Sequence, residues 1–389
     1  MAERSADLDL LIAGGGPVGA ALALALRDSG LKVALCEARP ADTPVSDRRT
    51  LALSHGSRLI LERLGAWAPL QATPITAIHV SQRHAFGRAL LGAQEAGVPA
   101  LGYVLRYADL QRALAARLAA SGVDCRYGAQ VTHVDLRQDA AHITYQQNGA
   151  SHIAASKLLA VADGGRSLHG MLGVVPRQHD YHQHAVVAEV ATELPHRNTA
   201  YERFTEQGPA ALLPCDDGLA LVWTADPARA QELCALDDAT FLARLHEHFG
   251  DRLGRFTQAG PRSSFPLLLK YADPLPTPRS VLIGNAAQML HPVAGQGFNL
   301  GLRDAWELAQ AILSMPAEEM GSTAMLAAYR KARRFDRGSG IRFTDALVRL
   351  FSSDRSPLRA LLGLGLEAFD AAPAARRFLA RRMMFGAAG

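Results

Sequence analysis

The sequence predicts an α/β fold: a domain built on a parallel sheet, an inserted second domain on a mostly antiparallel sheet, and a helical C-terminus. Three observations predict it. A buried strand at Leu8–Ala13 runs into a glycine-rich turn, a helix of small apolar residues and a second strand. Residues 176–276 change character and read as short strands with one helix. From Gly297 onward helical periodicity prevails to the end.

Leu8–Ala13 (LDLLIA), apolar but for Asp9, reads as a buried strand. Gly14–Gly19 is a tight turn, Val18–Ser29 a helix and Leu31–Glu37 (LKVALCE) the second strand, which completes a β-α-β unit. A helix is expected near Gly56–Leu64, and Ile75–Ser81 alternates as a strand does. Leucines 105, 110, 114 and 118 have helical spacing over Leu105–Ala120. Segments 123–134, 141–146 and 152–161 read as strands, the last running into Val161-Ala162-Asp163-Gly164-Gly165. His184–Ala191, Ala210–Pro214 and Leu219–Thr224 are strand-like, Asp238–Phe249 is helical, and Ser280–Gly284 is a further buried strand. The expected division is 1–72, 102–175 and 277–389 for the first domain with its C-terminal helices, and 73–101 and 176–276 for the second.

Composition excludes several classes. With 389 residues, 49% hydrophobic and 20% charged, the chain is long enough for two cores and too apolar for disorder. No apolar run approaches the roughly 18 residues that span a bilayer. The N-terminus carries Glu3, Asp7 and Asp9 and no apolar core of a secretory signal, so a cytoplasmic location is expected. Cys36, Cys125, Cys215 and Cys234 stand far apart, which argues against zinc and disulfides. The net charge is +4, and the six arginines between Arg355 and Gly389, set against Glu367 and Asp370, account for an equal excess. These arginines mix with Leu, Phe and Met and belong to no nucleic-acid module, so no nucleic-acid partner is expected.

Gly14-Gly15-Gly16-Pro17-Val18-Gly19 fits G-x-G-x-x-G. Gly14 permits the sharp turn, Gly16 lets a pyrophosphate approach the backbone, and Gly19 lets the helix pack close to the strand. Pro17 and Val18 open that helix, whose N-terminus offers N–H groups and a positive dipole end to phosphates. Glu37, 23 residues after Gly14, sits where a carboxylate accepts ribose hydroxyls. A dinucleotide is implied, and this motif alone leaves NAD and FAD open.

Two later segments point to flavin. Asp163-Gly164 lies just past a buried strand. Gly284-Asn285-Ala286-Ala287 leads into His291-Pro292-Val293-Ala294-Gly295-Gln296-Gly297-Phe298-Asn299-Leu300-Gly301-Leu302-Arg303-Asp304. The latter resembles H-P-x-A-G-Q-G-x-N-x-G-x-x-D of the ubiquinone-biosynthesis flavin hydroxylases, within the group A FAD aromatic monooxygenases. Every fixed position is filled. The resemblance implies a Rossmann-like FAD-binding domain of the p-hydroxybenzoate-hydroxylase type and a substrate domain inserted into it. N–H groups at Gly295, Gln296 and Gly297 would meet the pyrimidine edge of the flavin, where charge gathers on reduction. The resemblance also carries Pro292, Asn299 and Gly284 to the cofactor, and Asn285 to its ribityl chain or phosphate. The family often has Asp at 285, so the contact is carried over without an acid role.

Asp47-Arg48-Arg49-Thr50-Leu51-Ala52-Leu53 is similar to the family's D-x-R-x-x-A-L and puts Arg49 near the cofactor. Arg106 with Leu110 and Leu114 matches an R-x-x-x-L-x-x-x-L element at the ribityl or phosphate region. The Asp-Gly motif, tied in the family to FAD and NADPH, usually ends in arginine. Here that place holds His169, so the nicotinamide contacts are a point of departure.

The resemblance is strongest to the 2-polyprenyl-6-methoxyphenol hydroxylases, with Tyr201–Pro209 and Ala211-Leu212-Leu213-Pro214 similar to their substrate-domain strands. It implies a polyprenyl phenol hydroxylated with NAD(P)H and O2 through a flavin C4a-hydroperoxide. It also implies work at the inner face of the cytoplasmic membrane and room for a biosynthetic complex. Leu358, Leu361, Leu362, Leu364, Leu366 and Phe369, followed by Arg376, Arg377, Arg381 and Arg382, fit an amphipathic contact or equally a packed terminal helix. A hydroxylase of small soluble aromatics and a flavin-bound scaffold subunit are the competing readings. No residue stands out as a general base. His291, before a proline in a cofactor loop, reads as structural, and His84, His179, His182 and His184 each read as ordinary.

Overall fold

The computed structural model describes residues 7–45, 47, 49–83, 87–165, 168–205, 207–272, 278–351 and 356–386. The chain opens with β1 (Leu8–Ala13), α1 (Pro17–Leu26) and β2 (Val33–Glu37). β3 (Thr50–Ser54), α2 (His55–Arg63), β4 (Thr73–Ile75), β5 (Ala77–Gln82), β6 (Arg88–Gly92), β7 (Gly102–Arg106) and α3 (Tyr107–Ala119) follow. β8 (Asp124–Tyr127), β9 (Gln130–Leu136), β10 (Ala141–Gln147), β11 (Ala150–Val161) and α4 (Leu168–Met171) complete the first half. Next come β12 (Arg177–Thr192), β13 (Thr199–Thr205), β14 (Gly208–Cys215), β15 (Gly218–Ala225), α5 (Pro227–Ala235), α6 (Asp238–Phe249), β16 (Phe256–Ala259) and β17 (Ser263–Tyr271). β18 (Ser280–Leu282), β19 (Gln288–Met289), α7 (Gln296–Leu313), α8 (Thr323–Phe351), α9 (Ser356–Asp370) and α10 (Pro373–Phe385) end it.

β8, β2, β1, β11 and β18 form a parallel sheet, and β11 is long enough to continue into an antiparallel meander with β10 and β9. Alternate residues of the central strands feed two cores. Leu10, Ile12, Leu35, Leu158, Ala160 and Val281 pack under α1, α3, α7 and α8, whereas Leu11, Ala13, Cys36, Leu159, Val161 and Leu282 face the meander side. Burial on both faces is why these strands carry no polar alternation. α1 is buried at eight positions, and only small or aliphatic residues fit a helix enclosed this closely.

β5, β6, β12, β13, β14, β15, β16, β17 and β19 form a second, largely antiparallel sheet. Val186, Ala188, Leu221 and Trp223 on one face pack against Phe241 and Leu245 of α6. The other face turns toward the first sheet. β19 joins from 288–289, a segment expected in the first domain, and β4 pairs instead with β7 in a small third sheet beside β3.

Some elements differ from expectation. Leu105 belongs to β7, because Arg106 is extended (φ −77°, ψ 136°) and heads the helix, so of the four leucines Leu110, Leu114 and Leu118 line its buried stripe, with Gln111 and Ala113. β17 was hidden by Pro266, which the sheet tolerates beside a register shift in β12 between Asp180 and His184. His84, Arg48, Arg166, Ser167, Glu206 and the side chain of Leu358 lie outside the described residues.

A buried ionic knot joins α7, α8 and the turn after β18. Asp304 accepts from Arg333 Nε at 2.9 Å and Nη2 at 2.7 Å, from Gln288 Nε2 at 2.6 Å and from the Gly284 N–H at 3.1 Å. Arg333 also reaches Asp336, which pairs with Arg303. Removing one member leaves buried charge and an amide without an acceptor. Asp304→Ala should therefore cost about 3–5 kcal/mol in a urea titration; a change within error would show the knot to be energetically neutral.

Candidate cofactor and substrate site

The first loop is shaped by what each glycine touches. Gly14 has φ +116°, and a Cβ there would lie 2.5 Å from the Ala162 carbonyl oxygen. A Cβ on Gly19 would lie 2.0 Å from the Gly14 oxygen, so helix and strand can approach only without one. Gly16 is different: a Cβ there would meet nothing within 4 Å. Its open side is the space the motif reserves for a phosphate. Gly16 also caps α1 without a side-chain hydrogen bond, Pro17 occupies the first turn, and no acidic residue sits in that turn. The positive end of the helix is left free for an anion.

Glu37 ends β2 inside this loop. Its Oε2 accepts from the Gly15 N–H at 2.7 Å, and Oε1 from Arg39 N and Nε at 3.0 and 2.8 Å. Burial alone would raise the carboxyl, but the Arg39 and Gly15 bonds hold it below its usual range. A carboxylate has about four acceptor positions, so one is left for a ligand hydroxyl. Gln111 of α3, which the sequence reading missed, donates to the Gly15 oxygen at 3.0 Å and pins the loop from the other side. Its only sequence signal was a polar residue next to the apolar stripe of a helix.

The 284–304 segment meets this loop directly. Gly284 has φ +61°, and a Cβ there would lie 3.1 Å from Val18 Cγ2. A Cβ on Gly301 would lie 3.0 Å from Gly284 Cα and 3.2 Å from the same Val18 atom. Start and end of the nucleotide domain thus touch across two glycines. α7, like α1, begins on a glycine: Gly295 (φ +60°) caps it with no side-chain bond and no acid in the first turn. By contrast Ser54, Asp226 and Asp237 cap α2, α5 and α6 with their side chains. Gly297 has only Leu290 Cβ, at 3.9 Å, near its missing side chain. α3 and α10 also lack a side-chain cap, but only α1 and α7 among the described helices combine an uncapped start on glycine with an open glycine face, and that pair fits a dinucleotide.

Asn299 is buried and saturated. Its Oδ1 accepts from the Ser54 N–H at 2.8 Å and Ser57 Oγ at 2.7 Å, and its Nδ2 donates to the Ala52 and Gly295 oxygens at 3.0 and 2.7 Å. All four positions of the amide are used, so its side chain holds the loop in shape. Asp163 accepts from the Gly165 N–H at 2.8 Å and the Leu168 N–H at 3.2 Å. His169, standing where the family has arginine, contacts the Ala286 oxygen through Nε2 at 2.7 Å and ties the Asp-Gly turn to the Asn285 turn. Asn285 is itself exposed, as is Pro292.

The two arginines are engaged with protein. Arg49 forms a bidentate pair with Asp47, with Nε 2.9 Å from Oδ1, and lies over the Tyr107 ring. Arg106 pairs with Glu189 at 3.3 Å and Asp216 at 2.8 Å, so it bridges to the second sheet. His291 is fully enclosed. Its Nδ1 accepts from the Val293 N–H at 3.1 Å, and burial pushes its pKa down to about 4. It is a neutral loop brace.

The face of the second sheet turned toward these loops has one open row. Val187, Val222, Ala211, Glu202 and Val80 are direct cross-strand neighbours and all are half-buried. The next row, Ala185, Thr224, Pro209, Phe204 and Gln82, is buried throughout. Phe204 packs against Val293 of the 291–297 loop and Val348 of α8. A half-buried trough, apolar apart from Glu202, therefore crosses the sheet beside the loop.

Comparison with known proteins agrees with this arrangement. The family described as FAD binding domain matches residues 7–338. Ubiquinone hydroxylase UbiL of Rhodospirillum rubrum is 34% identical over 97% of this chain and 89% of its own length. The 3-demethoxyubiquinol 3-hydroxylase of Escherichia coli is 31% identical over 95% of this chain and 96% of its own. Among solved structures, p-nitrophenol 4-monooxygenase PnpA from Pseudomonas putida has the same fold, with a TM-score of 0.77 at 19% identity over 97% of both chains.

Two outcomes follow from the site. Gly16→Val and Gly297→Val have room in the protein, so each should melt like the parent yet lose flavin absorbance; full flavin retention would contradict the loop assignment. His291 rejects a proton that the unfolded chain accepts, so stability should fall as pH drops from 6.5 through about 4. His291→Gln should flatten that fall in a thermal-midpoint series, and an unchanged pH dependence would count against it.

Proposed function

This chain belongs to the FAD binding domain family and is an FAD-dependent aromatic monooxygenase, and from that premise we propose that it hydroxylates a polyprenylated phenol in ubiquinone biosynthesis, with NAD(P)H and O2 as co-substrates. The observation that carries this reading is the open trough of Val187, Val222, Ala211 and Val80 beside the 291–297 loop. It is apolar enough for a ring and a prenyl chain. Relatives covering nearly the whole chain bear names that place them as ubiquinone hydroxylases.

FAD, when bound, accepts electrons from the nicotinamide and activates O2. The residues of this chain bind, orient and enclose. Gly14, Gly16, Pro17, Val18 and Gly19 would present the α1 N-terminus to the pyrophosphate, and Glu37 would take a ribose hydroxyl. Gly284, Asn285 and Asp163 would hold the middle of the ligand, and Arg49 and Arg106, fixed by Asp47 and by Glu189 and Asp216, would stand near it. Pro292, Gly295, Gln296 and Gly297 would present the α7 N-terminus to the pyrimidine edge, with Asn299 fixing that loop. Valine and alanine side chains in the trough exclude water from the ring.

The same reading brings the enzyme to a lipid surface. Among the described residues no helix is long and apolar enough to cross a membrane. Leu361 and Leu364 of α9 and Phe378 of α10 are 64%, 69% and 67% exposed, and Arg377 and Arg381 beside them are exposed too. Other described members of the terminal pattern pack inward: Leu362 and Leu366 join Phe204, Phe369 lies by Leu91, and Arg376 pairs with Glu95. Exposed apolar side chains on α9 and α10, with exposed arginines on α10, suit anionic headgroups.

Purified protein with FAD, NAD(P)H and a short-prenyl methoxyphenol should form a hydroxylated product with matching nicotinamide loss. Turnover confined to tail-less phenols would favour a soluble-aromatic hydroxylase, and no turnover at all a scaffold. Leu361→Ser with Leu364→Ser should lower sedimentation with anionic vesicles while leaving flavin content intact; unchanged sedimentation would remove the membrane assignment.

A further inference from the structure

Glu202 is the one ionisable side chain in the open row of the second sheet. Strand alternation puts Tyr201 and Arg203 on the α6 face and Glu202 with Ala200 and Phe204 on the face toward the flavin loops. Its cross-strand neighbours on either side are Ala211 and Val80. Phe204, two residues on and about 7 Å along the strand, packs on Val293 of the 291–297 loop. Glu202 thus stands beside the place where the reacting ring must meet the flavin. Among the described residues it has no hydrogen-bond or ion-pair partner. A carboxylate in an apolar trough without a partner is costly to retain for stability alone.

We propose that Glu202 is the proton acceptor for the phenolic hydroxyl of the substrate, a catalytic role that rests on the hydroxylase reading above. The phenolic O–H bond breaks, its electron pair stays on the oxygen, and the proton moves to the Glu202 carboxylate. The ring becomes a phenolate, rich enough in electrons to attack activated oxygen. One atom of O2 enters the ring and the other leaves as water, with two electrons from NAD(P)H. The displaced ring proton is released as aromaticity returns, and Glu202 hands back its proton to the product oxygen.

The surroundings match the acceptor to its task. Loss of hydration alone pushes the Glu202 carboxyl up to about 8. An ordinary carboxylate is about six units too weak a base for a phenol of pKa about 10, and the shift removes most of that gap. Charged groups on the packed elements are committed elsewhere. Arg106 of β7 pairs with Glu189 and Asp216. Asp345 of α8 bonds Tyr181 and Arg349, and Glu367 and Asp370 of α9 accept N–H groups of β6. His291 in the loop is neutral by burial. His79, Arg203 and Arg252 lie across the sheet on the other face.

The test compares wild type, E202Q and E202D as full-length FAD-loaded protein with a short-prenyl methoxyphenol. Wild-type kcat/KM should rise with pH through a value near 8. E202Q should lose that limb and about 100-fold or more in product formation while keeping its flavin, and E202D should recover part of both. A second readout needs no turnover. In flavin-free protein, wild-type stability should fall as pH rises from 4.5 through about 8, because the unfolded chain releases a proton that folded Glu202 keeps. E202Q should lack this fall. An active wild type matched by E202Q in rate and pH profile overturns the role of Glu202 alone. A wild type that hydroxylates no phenol overturns the hydroxylase reading and this assignment with it.

Discussion

The close crossing of α1 and α7 at Gly284 is the constraint on which the site depends. Val18 reaches within 3.1 Å of where a Gly284 side chain would begin, and Gly301 closes the contact from the α7 side. A Cβ at either glycine would push the two helices, and with them their N-termini, apart. Asp304 secures the arrangement by holding the Gly284 amide and Arg333 together. Signature residues that look like a ligand-binding list are therefore of two kinds. Some shape the loop, and some leave space for what it binds.

Those open spaces carry the functional information. α2, α5 and α6 satisfy their first N–H groups with Ser54, Asp226 and Asp237, as helices generally do. α1 and α7 begin on Gly16 and Gly295 instead and have no side-chain cap. A glycine cap forgoes only about a few tenths of a kcal/mol, so each end stays open to an anionic or electron-rich group at little cost in stability. The trough across the second sheet follows the same logic. Its neighbouring row is buried and it is only half-buried, so the fold leaves part of an otherwise covered sheet face accessible beside the loop.

Much of this was legible in the sequence. LDLLIA, the G-x-G-x-x-G turn and the 291–304 run are local patterns whose residues act within a few positions of each other, and each specifies its own geometry. The roles of individual residues were less legible. Asn299 reads as a ligand contact, yet its amide is saturated by Ser54, Ser57, Ala52 and Gly295, three of them about 245 positions away in sequence. Gln111 and His169 gave little signal because their partners, Gly15 and Ala286, are also remote. Glu202 was hidden for another reason. Which face of β13 it occupies depends on sheet register, and register is set by β5 and β14 pairing rather than by the strand itself.

A crystal structure of the protein with FAD should show one ligand spanning both helix ends, its pyrophosphate over the open side of Gly16 and its pyrimidine edge within about 3 Å of amides in 295–297. A flavin whose ring lay away from the α7 N-terminus, with only the first loop engaged, would contradict that arrangement.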